Sequence, residues 1–322
     1  MSKSKKDTRK EKRKDKDKKK LSRKEKNKDK KNKKTTRKNE PVVNRKKTLR
    51  CAPGRDHKYT CYNSKSLHEI KKAWNDAYPN KPIHTNSPYE IWTFFHTHFK
   101  DMCHDEKCWL RQSFMQHKLS PDLKHFTFAP DSPESWNDDP KEWLSSDEIS
   151  DVMKQYEKTY PEFSFLGPSP IDFDKKTLFN DCIWEDLCKF DIRDYMNKGK
   201  TKIGIIFNLD PADKEGSHWV AAFIDTKRKG IYYYDSNGIR APKRIQTFLN
   251  KVKEQGKDKQ VNIPFKIEHN TKEHQLRDGE CGMFTIYFII SMLKKQTFKQ
   301  FKKKFKGGGD QYMNQLRNVL FN

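Results

Sequence analysis

Gly216-Ser217-His218-Trp219-Val220-Ala221-Ala222-Phe223-Ile224-Asp225 and Ile231-Tyr232-Tyr233-Tyr234-Asp235-Ser236-Asn237-Gly238 read as two paired strands. Both are apolar, β-branched or aromatic runs, and the polar, Gly-ended segment Thr226 to Gly230 between them is a hairpin signal. His218 begins the first strand and Asp235 ends the second. Their midpoint falls inside the turn, so antiparallel pairing brings Asp235 to within about two residues of His218. A carboxylate placed there accepts the imidazole N–H and fixes its tautomer, the role of the third member in a nucleophilic triad.

The chain outward from this hairpin supplies a nucleophile. Gln275-Leu276-Arg277-Asp278-Gly279-Glu280-Cys281-Gly282 leads directly into Met283 to Lys295, a mostly apolar run without Pro or Gly that reads as a buried helix. A helix N-terminus and a neighbouring imidazolium both favour the thiolate, which is the species that attacks a carbonyl. Gln275, six residues upstream on a turn-like segment, is placed to aim its amide at an oxyanion beside the Cys281 backbone N–H. Taken singly, such a cysteine is more often a buried small hydrophobe and such a histidine structural. The joint spacing of His218, Asp235, Gln275 and Cys281 points instead to a catalytic site. Asn237, two residues beyond Asp235, is the alternative partner for the histidine.

His218-Trp219, an aspartate 17 positions later and a glutamine six positions before a Cys-Gly pair resemble the SUMO proteases and adenovirus protease. Trp143-Leu144-Ser145-Ser146-Asp147-Glu148-Ile149 is similar to the Trp-Leu-x-Asp helix start of the SUMO proteases, so the resemblance spans Trp143 to Leu293. In overall character, including the lysine-rich start and Cys51-Ala52-Pro53-Gly54, the chain is similar to the thiol proteases of giant DNA viruses such as mimivirus. The resemblance implies an α+β, papain-like fold of the adenain and SUMO-protease type with a central mixed sheet. It implies a cysteine endopeptidase in which Cys281 is the nucleophile, His218 its base, Asp235 the orienting group and Gln275 part of the oxyanion hole. Trp143 would cover a narrow tunnel admitting Gly-Gly-like residues, with Trp219 shaping the same slot. The implied substrates are viral core and virion precursors, handled in the virion and at assembly sites in the host cytoplasm, with the nucleus as a further location. No cofactor and no metal are called for. A SUMO- or ubiquitin-like deconjugating protease keeps the same chemistry on another substrate. A nucleic-acid-binding virion structural protein with a degenerate protease fold is the reading from another class.

Charge is distributed very unevenly along the 322 residues. Residues 1–50 carry 26 of the 69 Lys and Arg and 7 of the 44 Asp and Glu, so +19 of the net +25 falls there. With almost no large apolar side chain before Pro41, this segment reads as a disordered polycation. Its readings are salt-sensitive attachment to nucleic acid, notably DNA, a nuclear localisation signal, or a solubilising tail. No signal-peptide core and no run of about 18 apolar residues is found, so neither secretion by a cleaved signal nor membrane insertion is expected. Seven cysteines without regular spacing suggest reduced thiols.

The expected organisation is a disordered tail at 1–50, a mainly helical accessory region at 51–118, a linker at 119–140 and a catalytic domain at 141–322. In the accessory region, helices are expected at Ser66 to Ala77 with Ser66 as cap, at Ile91 to Met102, and from Glu106 to His117. His96, His98, Cys103, His104 and Cys108 cluster in sequence, yet Cys-x4-Cys is only weakly zinc-like and no second tight pair follows, so packing thiols and surface histidines are expected. Further along, Gly167 to Pro170 reads as a loop, Lys202 to Leu209 and Val261 to Ile267 as strands, and Arg244 to Gln255 as a helix. Phe298, Phe301 and Phe305 are expected to pack on the core. Gly307-Gly308-Gly309 reads as a hinge, with self-cleavage as the alternative.

Overall fold

The computed structural model describes residues 50–55, 59–305 and 308–322. The basic segment through residue 49 and Gly307 lie outside the described residues. Segments 51–118 and 119–140 belong, with the sheet, to one compact unit, Arg45–Asn322.

In chain order the elements are α1 Ser64–Ala77, α2 Pro88–His98, α3 Pro121–Phe126, α4 Ser146–Thr159, β1 Phe163–Ser169, α5 Glu185–Cys188, α6 Ile192–Asn197, β2 Lys202–Asn208 and β3 Trp219–Asp225. They continue with β4 Gly230–Tyr234, α7 Lys243–Gln255, β5 Lys266–His269, α8 Cys281–Leu293, α9 Phe298–Phe301 and α10 Asp310–Leu320. The strands form one mixed sheet in the order β1-β2-β3-β4-β5. The outer pairs are parallel and the inner pairs, β2-β3 and β3-β4, antiparallel.

Both faces of the sheet are covered, which is why β3 is apolar throughout rather than alternating. Ala221 and Phe223 point into a core built from α4, α8 and α10, while Val220, Ala222 and Ile224 face a second core containing Ile245, Phe248, Leu249 and Val252 of α7. All 13 residues of α8 are buried, as an all-round apolar helix requires. Phe298 and Phe301 are buried against it, as expected from their spacing. The architecture is thus the α+β fold with a central mixed sheet that the sequence implies.

Several local expectations are corrected. Helix α1 is capped by Asn63, whose side chain accepts from the Ser66 N–H, so Ser66 lies inside the helix. Helix α2 starts earlier, at Pro88 behind the Ser87 cap, and ends at His98. The helix expected from Glu106 is broken at Gln112, whose backbone is extended, into two 3-10 turns, Glu106–Arg111 and Ser113–Met115. The Glu106 carboxylate accepts from Thr60, the Cys61 N–H and Trp92, which ties the first of these turns to the segment before α1 and to α2. Gly167-Pro168 lies within β1 rather than in a loop; an edge strand tolerates a missing N–H. Of Val261 to Ile267 only Lys266 onward pairs in the sheet, and Val261, Ile263 and Phe265 reach the core from irregular backbone.

The reduced-thiol reading is also overturned. Cys51–Cys61, Cys103–Cys108 and Cys182–Cys188 are disulfides, with Cα separations of 5.2, 5.5 and 6.2 Å, and Cys281 is free and buried. The Cys103–Cys108 bond replaces the packing thiols expected there. Thiol titration of the denatured chain without reductant is expected to give one equivalent, rising to the full seven cysteines after reduction. Seven equivalents without reductant would rule these pairs out.

Candidate active site

The β3-β4 ladder sets Ala221 opposite Tyr234, which puts Val220 across from Asp235 and His218 two positions further out. From this diagonal, Nε2 of His218 lies 2.8 Å from Oδ1 of Asp235. Asp235 is itself fixed: its N–H donates to Asn270 Oδ1 at 3.0 Å, and its carboxylate also accepts the Asn237 N–H at 2.8 Å. Asn237 therefore meets the site through its backbone, and the carboxylate of Asp235 is the imidazole's partner.

With Nε2 committed to Asp235, the other ring nitrogen is left for Cys281, which acts on the imidazole closely enough to raise its pKa. The residue is largely buried, and burial alone would lower its pKa. Hydrogen bonds to Asp235 and Cys281, together with the charges of both, outweigh this and raise it from 6.5 to about 9. His218 thus holds its proton at neutral pH. Cys281 is the first residue of α8, and no side chain among the described residues caps that helix. Its first-turn N–H groups therefore remain available as donors beside the sulfur.

Gln275 is held by its surroundings. Ser236 Oγ donates to its Oε1 at 2.8 Å, its N–H donates to Ser236 O at 3.1 Å, and its Nε2 donates to Arg277 O at 2.7 Å. His274, just before it, is buried against the Tyr234 hydroxyl at 3.1 Å, and burial lowers its pKa, which keeps the imidazole neutral. Sequence reasoning missed Ser236 and Asn270. Adjacency to Asp235 was a usable signal for the first, and nothing in the sequence marked the second.

The segment before α4 packs directly on the turn that leads to Cys281. A Cβ at Gly282 would lie 2.9 Å from the Leu144 side chain, and one at Gly279, whose φ is +108°, would lie 2.8 Å from Lys141 O. Trp219 is 7% exposed and its indole N–H donates to Leu144 O at 2.9 Å, tying this segment to β3. Trp143 is 49% exposed on the same segment. The structure therefore brings the His218 imidazole into a hydrogen bond with Asp235 and next to Cys281. Gln275 sits at the start of the loop that ends in Cys281, and the two tryptophans lie on the flanking segments.

An Asp–His–thiol chain at an uncapped helix N-terminus can generate a nucleophile, deliver a proton and stabilise an oxyanion. Comparison with known proteins agrees with that chemistry. Residues 190–318 match the Ulp1 protease family, C-terminal catalytic domain. The chain is 31% identical over 293 residues to a protein of Acanthamoeba polyphaga mimivirus described as a thiol protease, covering 84% of this chain and 92% of that one. It is 24% identical over 173 residues to the SUMO-1 cysteine protease of African swine fever virus, covering 49% of this chain and 60% of that one. A crystal structure of the African swine fever virus protease superposes with a TM-score of 0.58 at 18% identity, over 86% of this chain and 96% of that one. By the extent of these matches, this chain belongs to the Ulp1 protease family and is a cysteine peptidase.

Proposed function

We propose that the enzyme is an endopeptidase that cleaves after small, Gly-rich residues and matures viral core and virion precursors. The observation that carries the reading is the Asp235–His218 hydrogen bond with Cys281, at the N-terminus of α8, next to the imidazole. In this mechanism the Cys281 sulfur attacks the scissile carbonyl carbon. The oxyanion that forms is met by the Cys281 N–H and the Gln275 amide. Protonated His218 gives its proton to the leaving amine as the C–N bond breaks, leaving a thioester. His218 then takes a proton from water, whose oxygen attacks the thioester; the carboxylic product leaves and the Cys281 thiolate is returned beside protonated His218. Asp235 holds the imidazole in one tautomer throughout.

Selectivity for glycine is supported by the close packing of residues 141–144 on Gly279 and Gly282, with Trp143 the large exposed side chain on that segment. Relatives among viral thiol proteases support maturation of viral proteins as the task, carried out in the virion and at cytoplasmic assembly sites. The printed name of the African swine fever virus relative, a SUMO-1 cysteine protease, favours a second reading, release of a SUMO-like modifier, through the same site. The +19 charge of residues 1–50 supports attachment of the enzyme to nucleic acid through that segment.

A Gly-Gly vinyl sulfone peptide should label Cys281 alone, and labelling should disappear in His218→Ala. A matched probe with Leu-Leu in place of Gly-Gly should label at least about tenfold more slowly. Equal labelling by both probes would sink the glycine slot. Labelling that ignores His218→Ala would sink the paired-thiol mechanism.

A further inference from the structure

One face of α10 grips the loop that leads to the nucleophile. Asp310, Asn314 and Arg317 stand at i, i+4 and i+7, so they align on one side of the helix. The Asp310 carboxylate accepts from the Leu276 N–H at 3.0 Å and the Arg277 N–H at 3.1 Å. At the loop's other end, Arg317 Nε donates to Glu280 Oε2 at 3.1 Å, and Asn314 Nδ2 lies 3.5 Å from Glu280 Oε1. Arg317 Nη2 reaches the carbonyls of Gly279, at 3.4 Å, and of Glu142, at 2.7 Å. Both members of the Arg317–Glu280 pair are 3% exposed, and the guanidinium carbon lies 4.5 Å from the Trp136 ring centre.

Stability alone does not account for this arrangement. A buried ion pair is seldom better than an apolar pair of the same shape, because both charges must first be stripped of water. Here the guanidinium is committed through Nε and Nη2 while Nη1, equally buried, has no hydrogen-bond partner among the described residues. What the planar fork does fix is geometry. The Gly279–Glu280 peptide is held at its carbonyl by Arg317, and the Glu280–Cys281 peptide at its carbonyl by the Phe284 N–H. The second of these planes carries the Cys281 N–H. Through Glu142 the same guanidinium also places the residue before Trp143.

We infer that Arg317 and Glu280, with Asp310 at the other end of the loop, are positioning residues that aim the Cys281 N–H at the oxyanion and set the Trp143 segment against it. The inference rests on Cys281 being the nucleophile, as proposed above. It assigns to α10, which touches no reacting atom, a share of the transition-state stabilisation.

The test separates thiol reactivity from oxyanion stabilisation. Alkylation of Cys281 by iodoacetamide forms a thioether and releases iodide without passing through an oxyanion, whereas peptide hydrolysis requires one. The double variant Glu280→Met with Arg317→Met removes both buried charges together and preserves apolar packing. Its kcat on a Gly-Gly peptide should fall by about 10²-fold, with KM within about threefold of wild type. Its rate of Cys281 alkylation should stay within about twofold. Asp310→Ala, at a more accessible position, should lower kcat by about tenfold with the same alkylation rate, and it provides the reading if the double variant fails to fold. Wild-type kcat in either folded variant overturns the inference, as does alkylation falling in step with hydrolysis. Wild-type hydrolysis that survives complete alkylation of Cys281 would instead overturn the nucleophile assignment, and the positioning role with it.

Discussion

Cys281→Ala is expected to lower peptide hydrolysis by at least about 10⁴-fold without unfolding the protein, since it removes one buried sulfur and none of the backbone contacts of α8. The same change should be visible at His218. In the wild type its pKa is raised from 6.5 to about 9, and the hydrogen bond and charge of Cys281 are among the causes. Because the folded value lies above the unfolded one, the stabilisation from this proton is fully present below about pH 6.5 and is lost as pH rises through about 9. Hydrolysis should show its alkaline limb in the same region, where the imidazolium that serves as general acid disappears. In Cys281→Ala the imidazole loses one of its two partners while burial continues to pull its pKa down. Its titration midpoint, followed by NMR of the ring protons, should move toward 6.5. An unchanged midpoint would mean that the histidine is not paired with the sulfur.

Asp235→Ala should cost less than loss of the sulfur but more than most single changes, about 10²- to 10⁴-fold in kcat. The carboxylate is 1% exposed and accepts from His218 and from the Asn237 N–H, so alanine frees the ring to turn and strands an amide. Asp235→Asn retains an acceptor oxygen for both contacts and should recover part of the loss while lowering the histidine's pKa. If alanine and asparagine are equally inactive in folded protein, the negative charge matters more than orientation. If Asp235→Ala retains full activity, the imidazole has another anchor.

The residues that do the proposed chemistry were legible because they fall at ends of elements with strong local signals. The two aromatic runs around Thr226 to Gly230 fix the hairpin and, through it, the approach of His218 to Asp235. The uninterrupted apolar run fixes α8 and the place of Cys281. The neighbours that hold these residues were not legible. Gly167-Pro168 reads as a break, and only its position at the sheet edge makes it compatible with β1. Arg317 lies on an amphipathic helix whose polar residues look solvated, and its partner Glu280 is 37 positions away. Pairings of that kind arise from tertiary packing and leave no periodicity to read. The disulfides failed for a related reason, since an odd total conceals three pairs and one thiol left apart from them.

The tie between α10 and the Cys281 loop also bears on the order in which the chain becomes competent during synthesis. His218, Asp235 and Cys281 leave the ribosome before Asp310 and Arg317, so a nascent chain carries these three residues before the helix that grips the Cys281 loop has been made. Contacts between Arg317 and Glu142 span 175 residues, the kind of long-range closure that forms late. In a protein built this way, the ties that fix the Cys281 loop are made only after the residues they position have been synthesised.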